Sequence, residues 1–424
     1  MRIENLRFEK KSDRARVTAT VLWEDCGRPK QDIYFETVEE FADSLSCNPH
    51  AFLVACIMPA LYFGEERVSI EGSVCPELRD GLDIVLNWMR YWWYEPARKI
   101  VRIEAKTSSG YIRPQTPYDR AGFFFSGGVD SLSVLRANRL NYPSDHPGSF
   151  KDGLLVSGLE IRDPGIFGYV QDSLSVLAKD ASITLIPVYT NIRDLGPEDN
   201  IEFWDEFWKK EFMGATFAAV AHVLAKRLTS LSNSSDHDIP NMHPFSSHPL
   251  INPYYSSSDL RIRLEGYTLS RLDKTKLVAG WDSALQHLRV CNKTELYQPG
   301  LLNCGKCEKC VRTMMSLLVF GVLKKASAFP VHDVSEEMVN VCGPLASNTF
   351  FFSEELVAPL AKIGRHDLVR AIERKIAEYH HSEKSRTLRK KFIEPILEYD
   401  QKHLNGRLRA LKRFFSPGGA IWGK

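Results

Sequence analysis

Two groups of residues in this sequence have the types and spacing that chemistry requires. The first is Ser126-Gly127-Gly128-Val129-Asp130-Ser131. Phe123 to Phe125 end an apolar run that reads as a buried strand, and from Asp130 onward Leu132, Val134 and Leu135 have helical spacing. A loop of small residues between strand and helix aims backbone N–H groups and the positive helix end at one spot, which suits phosphate. A Walker loop would carry Lys-Ser or Lys-Thr after its second glycine. Here Gly128 is followed by Val-Asp-Ser, which excludes that phosphate grip.

The second group is Cys304-Gly305-Lys306-Cys307-Glu308-Lys309-Cys310, with Cys291 thirteen residues upstream of Cys304. Two-residue gaps let successive thiolates converge on one ion, and a fourth thiolate closes a tetrahedron. Four sulfurs leave no open position, so a zinc held there is structural and clamps this loop to the helix beginning near Cys310. An iron–sulfur cluster is the alternative occupant of four thiolates. Cys26, Cys47, Cys56, Cys75 and Cys342 are scattered and read as buried apolar residues. An odd total of nine cysteines, four of them clustered, suits a reducing cytoplasm with a metal site better than a disulfide framework.

These groups need a scaffold, and 424 residues with 44% hydrophobic content supply it amply. Residues 1–112 read as an N-terminal α+β accessory domain. Strands are expected in Val17–Trp23, Ile33–Thr37 and Val68–Glu71, and an amphipathic helix from Leu82 to Trp93, with Trp88, Trp92 and Trp93 as core or interface. Residues 113–325 alternate strand and helix, the pattern of an α/β fold with a parallel, doubly wound sheet. Strands are expected at Gly153–Val156 and Ile183–Val188, helices at Phe167–Leu177 and Phe203–Leu228. Ligands of such sheets sit beyond the carboxyl ends of the strands, which puts the glycine loop and Thr190, Asn191 and Arg193 on one rim. The polar stretch Ser232–Asp259 reads as a lid, a binding loop or disorder. Residues 326–424 read as a helical, basic C-terminal region, with 16 Lys/Arg against 7 Asp/Glu over 360–424. Without interleaved aromatics, that basicity reads as a solvated helical face, and nucleic acid is only weakly supported as a partner. The net charge is +2, no apolar run is long enough to span a membrane, and the charged N-terminus lacks a signal-peptide core, so a cytoplasmic location is expected.

The SGGxDS phrase resembles the PP-loop of ATP pyrophosphatases, which split ATP into AMP and pyrophosphate. A PP-loop followed by a late C…CGxCxxC loop is similar to the QueC (7-cyano-7-deazaguanine synthase) family, over about residues 120–325. The resemblance implies a PP-loop (adenine nucleotide alpha hydrolase-like) sheet and ATP-dependent adenylation of the carboxylate of 7-carboxy-7-deazaguanine. It also implies phosphate binding by Ser126, Gly127, Gly128, Val129 and Ser131, Mg2+–pyrophosphate handling by Asp130, and zinc on Cys291, Cys304, Cys307 and Cys310. The gap after Cys291 is longer than in QueC, and the family's Tyr-Pro-Asp-Cys-Arg segment has no clear counterpart. QueC proper is also about half this length. The flanking regions resemble those of QueC-like proteins from bacterial anti-phage (Qat) systems. That likeness implies a protein partner from a defence operon, whose amine would replace ammonia.

The flanking chemistry adds candidates. Arg271, Lys274 and Lys276 open a helix after Leu264-Glu265-Gly266, and Lys274 is the one expected to reach pyrophosphate, acting with Asp130 in catalysis. Thr190, Asn191 and Arg193 are candidates for nucleotide or substrate contact. His243 and His248 fall in the polar stretch and are expected to be inert. No His/Asp constellation surrounds Ser126, so it is read as a hydrogen-bonding group and not a nucleophile. The alternatives are 7-cyano-7-deazaguanine synthesis itself, a PP-loop tRNA-modifying enzyme, and a non-enzymatic scaffold.

Overall fold

The computed structural model describes residues 1–108, 119–198, 200, 203–297, 300–346 and 349–388. The chain forms two compact units, Met1–Asp333 and Val334–Lys424.

The first unit is built on one ten-stranded sheet: β1 Arg2–Lys11, β2 Arg14–Leu22, β3 Gln31–Val38, β4 Arg67–Val74, β5 Arg102–Thr107, β6 Ala121–Phe124, β7 Phe150–Ser157, β8 Thr184–Thr190, β9 Ser230–Ser234 and β10 Arg261–Glu265. Their order across the sheet is β10-β9-β6-β7-β8-β3-β2-β1-β4-β5. The five strands from β10 to β8 are mutually parallel. At β8 the direction changes: β3 lies antiparallel to it, with Phe35, Glu36 and Thr37 opposite Thr190, Tyr189 and Val188.

The helices of this unit are α1 Pro49–Phe63, α2 Pro76–Trp93, α3 Val129–Asn141, α4 Pro164–Asp180, α5 Met213–Val223, α6 Arg271–Ala279, α7 Asp282–His287 and α8 Glu308–Val319. Helix α1 is buried along almost its whole length, as its unbroken apolar run requires. It packs in the same core as β1–β3 and α5. The N-terminal region, expected as a domain of its own, therefore shares both a sheet and a core with the rest of the unit. The boundary expected between residues 112 and 113 falls outside the described residues. Trp88, Trp92 and Trp93 are partly buried against this core, as expected.

The helix expected over Phe203–Leu228 is two elements. Phe203–Phe212 is a π-helix, which runs into α5 at Met213. Wider turns of this kind often accompany functional sites. Glu211, near the end of the π-helix, is only 4% exposed and accepts a 2.6 Å hydrogen bond from the Tyr94 hydroxyl. The polar stretch, expected as a lid, a binding loop or disorder, is largely packed into the unit. Its first residues belong to β9, Ser246, Ser247, Asn252, Ser256 and Ser257 are buried, and Ser246 N–H donates to the Lys209 carbonyl.

The described part of the second unit is helical, as expected: α9 Glu336–Val341, α10 Phe351–Glu354, α11 Val357–Lys362 and α12 His366–Leu388. Leu360, Leu368, Ala371 and Ile372 form its interior. The basic residues beyond 388 lie outside the described residues.

Burial pushes the Glu211 carboxyl up to about 7, against the pull of the Tyr94 hydroxyl and the Arg98 cation. A carboxyl whose folded-state pKa exceeds its unfolded value favours the fold below about pH 4.5, and that contribution is lost as pH rises through 7. Glu211→Gln removes the proton linkage. The stability of the variant relative to wild type, measured by urea unfolding, is expected to rise by about 3 kcal/mol between pH 4.5 and pH 8. A difference that stays constant with pH would show the carboxyl titrating normally.

Candidate functional site

The parallel half of the sheet fixes where a site can form. The chain lays β7 and β8 on one side of β6 and then returns to lay β9 and β10 on the other. The connections leaving β6 and β9 therefore run to opposite sides and open a crevice at the carboxyl ends of the strands. The glycine loop lies at this switch point, between β6 and α3.

Local geometry explains its composition. Gly127 has φ +77°, a conformation that favours glycine, and a Cβ there would also press on Leu174 Cδ2 of α4 at 2.8 Å. Gly128 caps α3 in an extended conformation. The Gly128 N–H donates to Ser126 Oγ at 3.3 Å, Ser131 Oγ donates to the Gly128 carbonyl at 3.1 Å, and the two hydroxyls lie 3.3 Å apart. Val129 is buried beneath the loop, its side chain in the core. Both serines thus fasten the turn that turns the helix N-terminus toward the crevice.

Asp130 lies in the first turn of α3, where a negative charge is favoured by the helix dipole. Its carboxylate takes two cations from α6: Arg271 Nη1 at 2.8 Å and Lys274 Nζ at 3.2 Å. Lys274 is fully buried, and its ammonium also donates to the Ser235 carbonyl at 2.6 Å. Burial raises the Asp130 pKa, but Arg271 and Lys274 outweigh it and hold the group below the usual carboxylate value. Asp130 is therefore an anion at neutral pH. Lys276, two residues and about half a turn further on the same helix, is exposed.

Beyond the loop is a cavity of about 180 Å³. That exceeds the ~150 Å³ hole that accepts a benzene ring. Its walls include Phe124, Leu154, Leu155, Trp208, Met213 and Phe217, with Ser126 and Asp130 at the glycine-loop end, Asn233 and Ser234 from the end of β9 and Asp236 from the connection after it. The π-helix sets the spacing of Trp208 and Met213 on this wall. Arg289 and Lys309 come from the cysteine-bearing segment.

In that segment the Sγ atoms of Cys291, Cys304, Cys307 and Cys310 all lie within 4.8 Å of one another. The Cys291–Cys307 and Cys304–Cys310 separations are 3.7 and 3.9 Å. Four sulfurs at ~2.3 Å from one tetrahedral ion are about 3.8 Å apart, so the cluster can hold a single metal ion such as zinc. Backbone N–H groups of Lys293, Lys306 and Cys307 point at sulfur from 3.3 to 3.4 Å, which favours thiolates. Gly305 has φ +69° and Pro330 packed where a Cβ would go. Asn303 holds the frame: its side-chain oxygen accepts from Val290 and Cys291 N–H, and its amide donates to the Leu288 and Ala328 carbonyls. The frame reaches the glycine loop directly, because Arg289 N–H donates to the Gly127 carbonyl at 2.8 Å.

The structure thus brings Ser126, Asp130 and Lys274 together and sets the four cysteines beside them. It places Thr190, Asn191 and Arg193 elsewhere. Thr190 Oγ1 donates to the Tyr34 carbonyl, while Asn191 accepts from Tyr34 N–H and donates to the Asp32 carbonyl, so both join β8 to β3. Arg193 is buried, donates to the Leu159 carbonyl at 2.7 Å, and lies 4.3 Å from the ring of Trp204. None of the three lines the cavity. His248 is buried against Trp92, and His243 packs its ring on His237. Arg289, Asn303 and Trp208 were not legible as site residues. The available signal was a basic and an amide residue flanking the cysteines. Among the described residues, no helix is long and apolar enough to cross a membrane.

No protein-family model, no curated protein and no solved structure matches this chain.

The cluster geometry yields a direct expectation. Wild-type protein is expected to carry about one metal equivalent per chain by plasma emission spectrometry, and Cys307→Ser to fall well below that and melt earlier. Full metal content in the variant would remove Cys307 from the ligand set.

Proposed function

We propose that this protein is a PP-loop enzyme that uses ATP to adenylate the carboxylate of a planar, 7-deazaguanine-type acid, in the manner of the QueC-like proteins. The observation that carries this reading is the glycine loop at the switch point, with an ionised Asp130 at the end of a ring-sized cavity. A carboxylate is a poor electrophile because its charge repels nucleophiles. Joining it to AMP masks the charge and supplies a leaving group. A carboxylate oxygen bonds to the α-phosphorus, the α–β phosphate bridge breaks, and pyrophosphate departs. An amine then takes the carbonyl carbon, releasing AMP and a proton.

The chain's residues suit the first step without any side-chain base. The loop and the N-terminus of α3 border the crevice through Ser126 and Asp130, where backbone N–H groups and the helix dipole suit phosphate oxygens. Lys274 and Arg271, now paired with Asp130, supply the positive charge that a departing pyrophosphate requires. Asp130 is the residue that would hold Mg2+, and its two cations keep it in the ionised form such a ligand needs. Magnesium, when bound, neutralises part of the polyphosphate charge. The four-cysteine centre is read as structural zinc, since four sulfurs leave no position open for substrate. The acceptor is read as the amine of a partner protein from a defence operon, a role that agrees with the QueC-like resemblance of the core and its flanking regions.

Removing Asp130 outright would strand the buried Lys274 ammonium, so Asp130→Asn, which keeps an acceptor oxygen, is the cleaner test. Nucleotides are separated by chromatography after incubation with Mg-ATP, with and without 7-carboxy-7-deazaguanine. AMP is expected only with the acid in wild type, and at a rate at least about 100-fold lower in Asp130→Asn. Equal AMP from the variant would remove Asp130 from the site. ATP that remains intact with the acid, with an amine donor and with both would overturn the proposed reaction.

A further inference from the structure

The cavity contains one cation that the fold leaves incompletely used. Arg289 is 5% exposed, yet it lines the cavity beside the glycine loop. Its Nε donates to the Tyr297 hydroxyl at 3.0 Å, and that hydroxyl donates in turn to the Cys291 carbonyl at 2.7 Å. Its backbone N–H is spent on Gly127. Its Nη2 is buried and has no hydrogen-bond partner. A buried guanidinium donor without an acceptor is costly, and native proteins seldom retain one without a use.

We propose that Arg289 is the anion receptor of this cavity and takes the carboxylate of the planar acid. This assignment rests on the adenylation reading and names how its acid is held. Three observations favour a carboxylate over a phosphate of ATP. The glycine loop and the α3 N-terminus form the part of the crevice whose backbone suits phosphate. The cations nearest Asp130 are Arg271 and Lys274, both supplied by α6. Arg289 instead shares its cavity with the apolar side chains of Leu154, Leu155 and Trp208, which a ring would contact. Lys309, exposed and also part of the lining, adds positive charge from the same segment.

The arrangement also gives the cysteine cluster a role beyond local folding. Arg289 is two residues from Cys291, and the Tyr297 hydroxyl bridges its guanidinium to the Cys291 carbonyl. A metal that fixes Cys291 therefore fixes the direction of the guanidinium. Acid affinity depends on the metal through this connection.

The test uses the full chain with its metal and measures binding by equilibrium dialysis. The probes are 7-carboxy-7-deazaguanine, its uncharged carboxamide, and Mg-ATP. Arg289→Gln is expected to weaken the acid about 10- to 100-fold, the scale of one charge-assisted hydrogen bond to a buried donor. Carboxamide and Mg-ATP affinities should change less than about 3-fold. Arg289→Lys should recover part of the acid affinity, and unchanged metal content in both variants would show that the frame is intact. Equal loss for acid and carboxamide would mean a structural role and overturn the assignment. A loss confined to Mg-ATP would give the arginine to the nucleotide, with the same consequence. Acid that fails to bind wild type also overturns it, while AMP formation with other acids would leave the adenylation reading standing.

Discussion

A lysine ammonium sealed from water must be neutralised and hydrogen-bonded in place, and in this fold Lys274 imposes that requirement on three elements at once. Its carboxylate partner, Asp130, opens α3. Its carbonyl partner, Ser235, follows β9. The lysine itself comes from α6, which follows β10. Moving any of these strands relative to the others would leave a buried charge unpaired, at a cost of about 3–5 kcal/mol. The crevice at the switch point is therefore held open by electrostatics as well as by sheet topology.

The cysteine cluster acts on the other side of the same loop. Asn303 ties the segment before Cys291 to the turn at Cys304, and the Arg289–Gly127 backbone bond carries that rigidity to the glycine loop. A glycine-rich turn is entropically expensive to order. Here the order comes from outside it: Leu174 limits the space around Gly127, the two serines brace the turn, and the cysteine segment holds one of its carbonyls.

The strand–turn–helix around SGGVDS was readable because its apolar period changes from continuous to helical within a few residues. The cysteine spacing was readable because tetrahedral ligation constrains sequence as tightly as it constrains space. Lys274 was singled out among three basic residues, while the pairing of Arg271 with the same carboxylate was not. Helical phase alone cannot say which side chain finds a carboxylate contributed by a distant helix. Thr190 and Asn191 sit at the carboxyl end of a parallel strand, where ligand contacts are expected, but the structure uses them to bind β3. That use depends on an antiparallel partner more than 150 residues away. A strand pairing at that distance leaves no local periodicity to read. The same pairing merges the N-terminal region into the sheet, where the local pattern of strands and helix suggested a separate domain.

The attachment of β3 bears on the site more than its distance suggests. Without it, β8 would be an exposed sheet edge, and the end of β8 would carry polar groups with no partner. Covered by β3, β8 instead supports the turn where Arg193 donates to the Leu159 carbonyl, and Leu159 forms part of the cavity wall. The N-terminal strands thus reach the cavity through backbone geometry, with none of their own side chains lining it. A change in that region would reshape the wall before it touched the glycine loop. The flanking chain therefore helps to shape the cavity wall, whereas the glycine loop, Asp130 and α6 are held by contacts of their own.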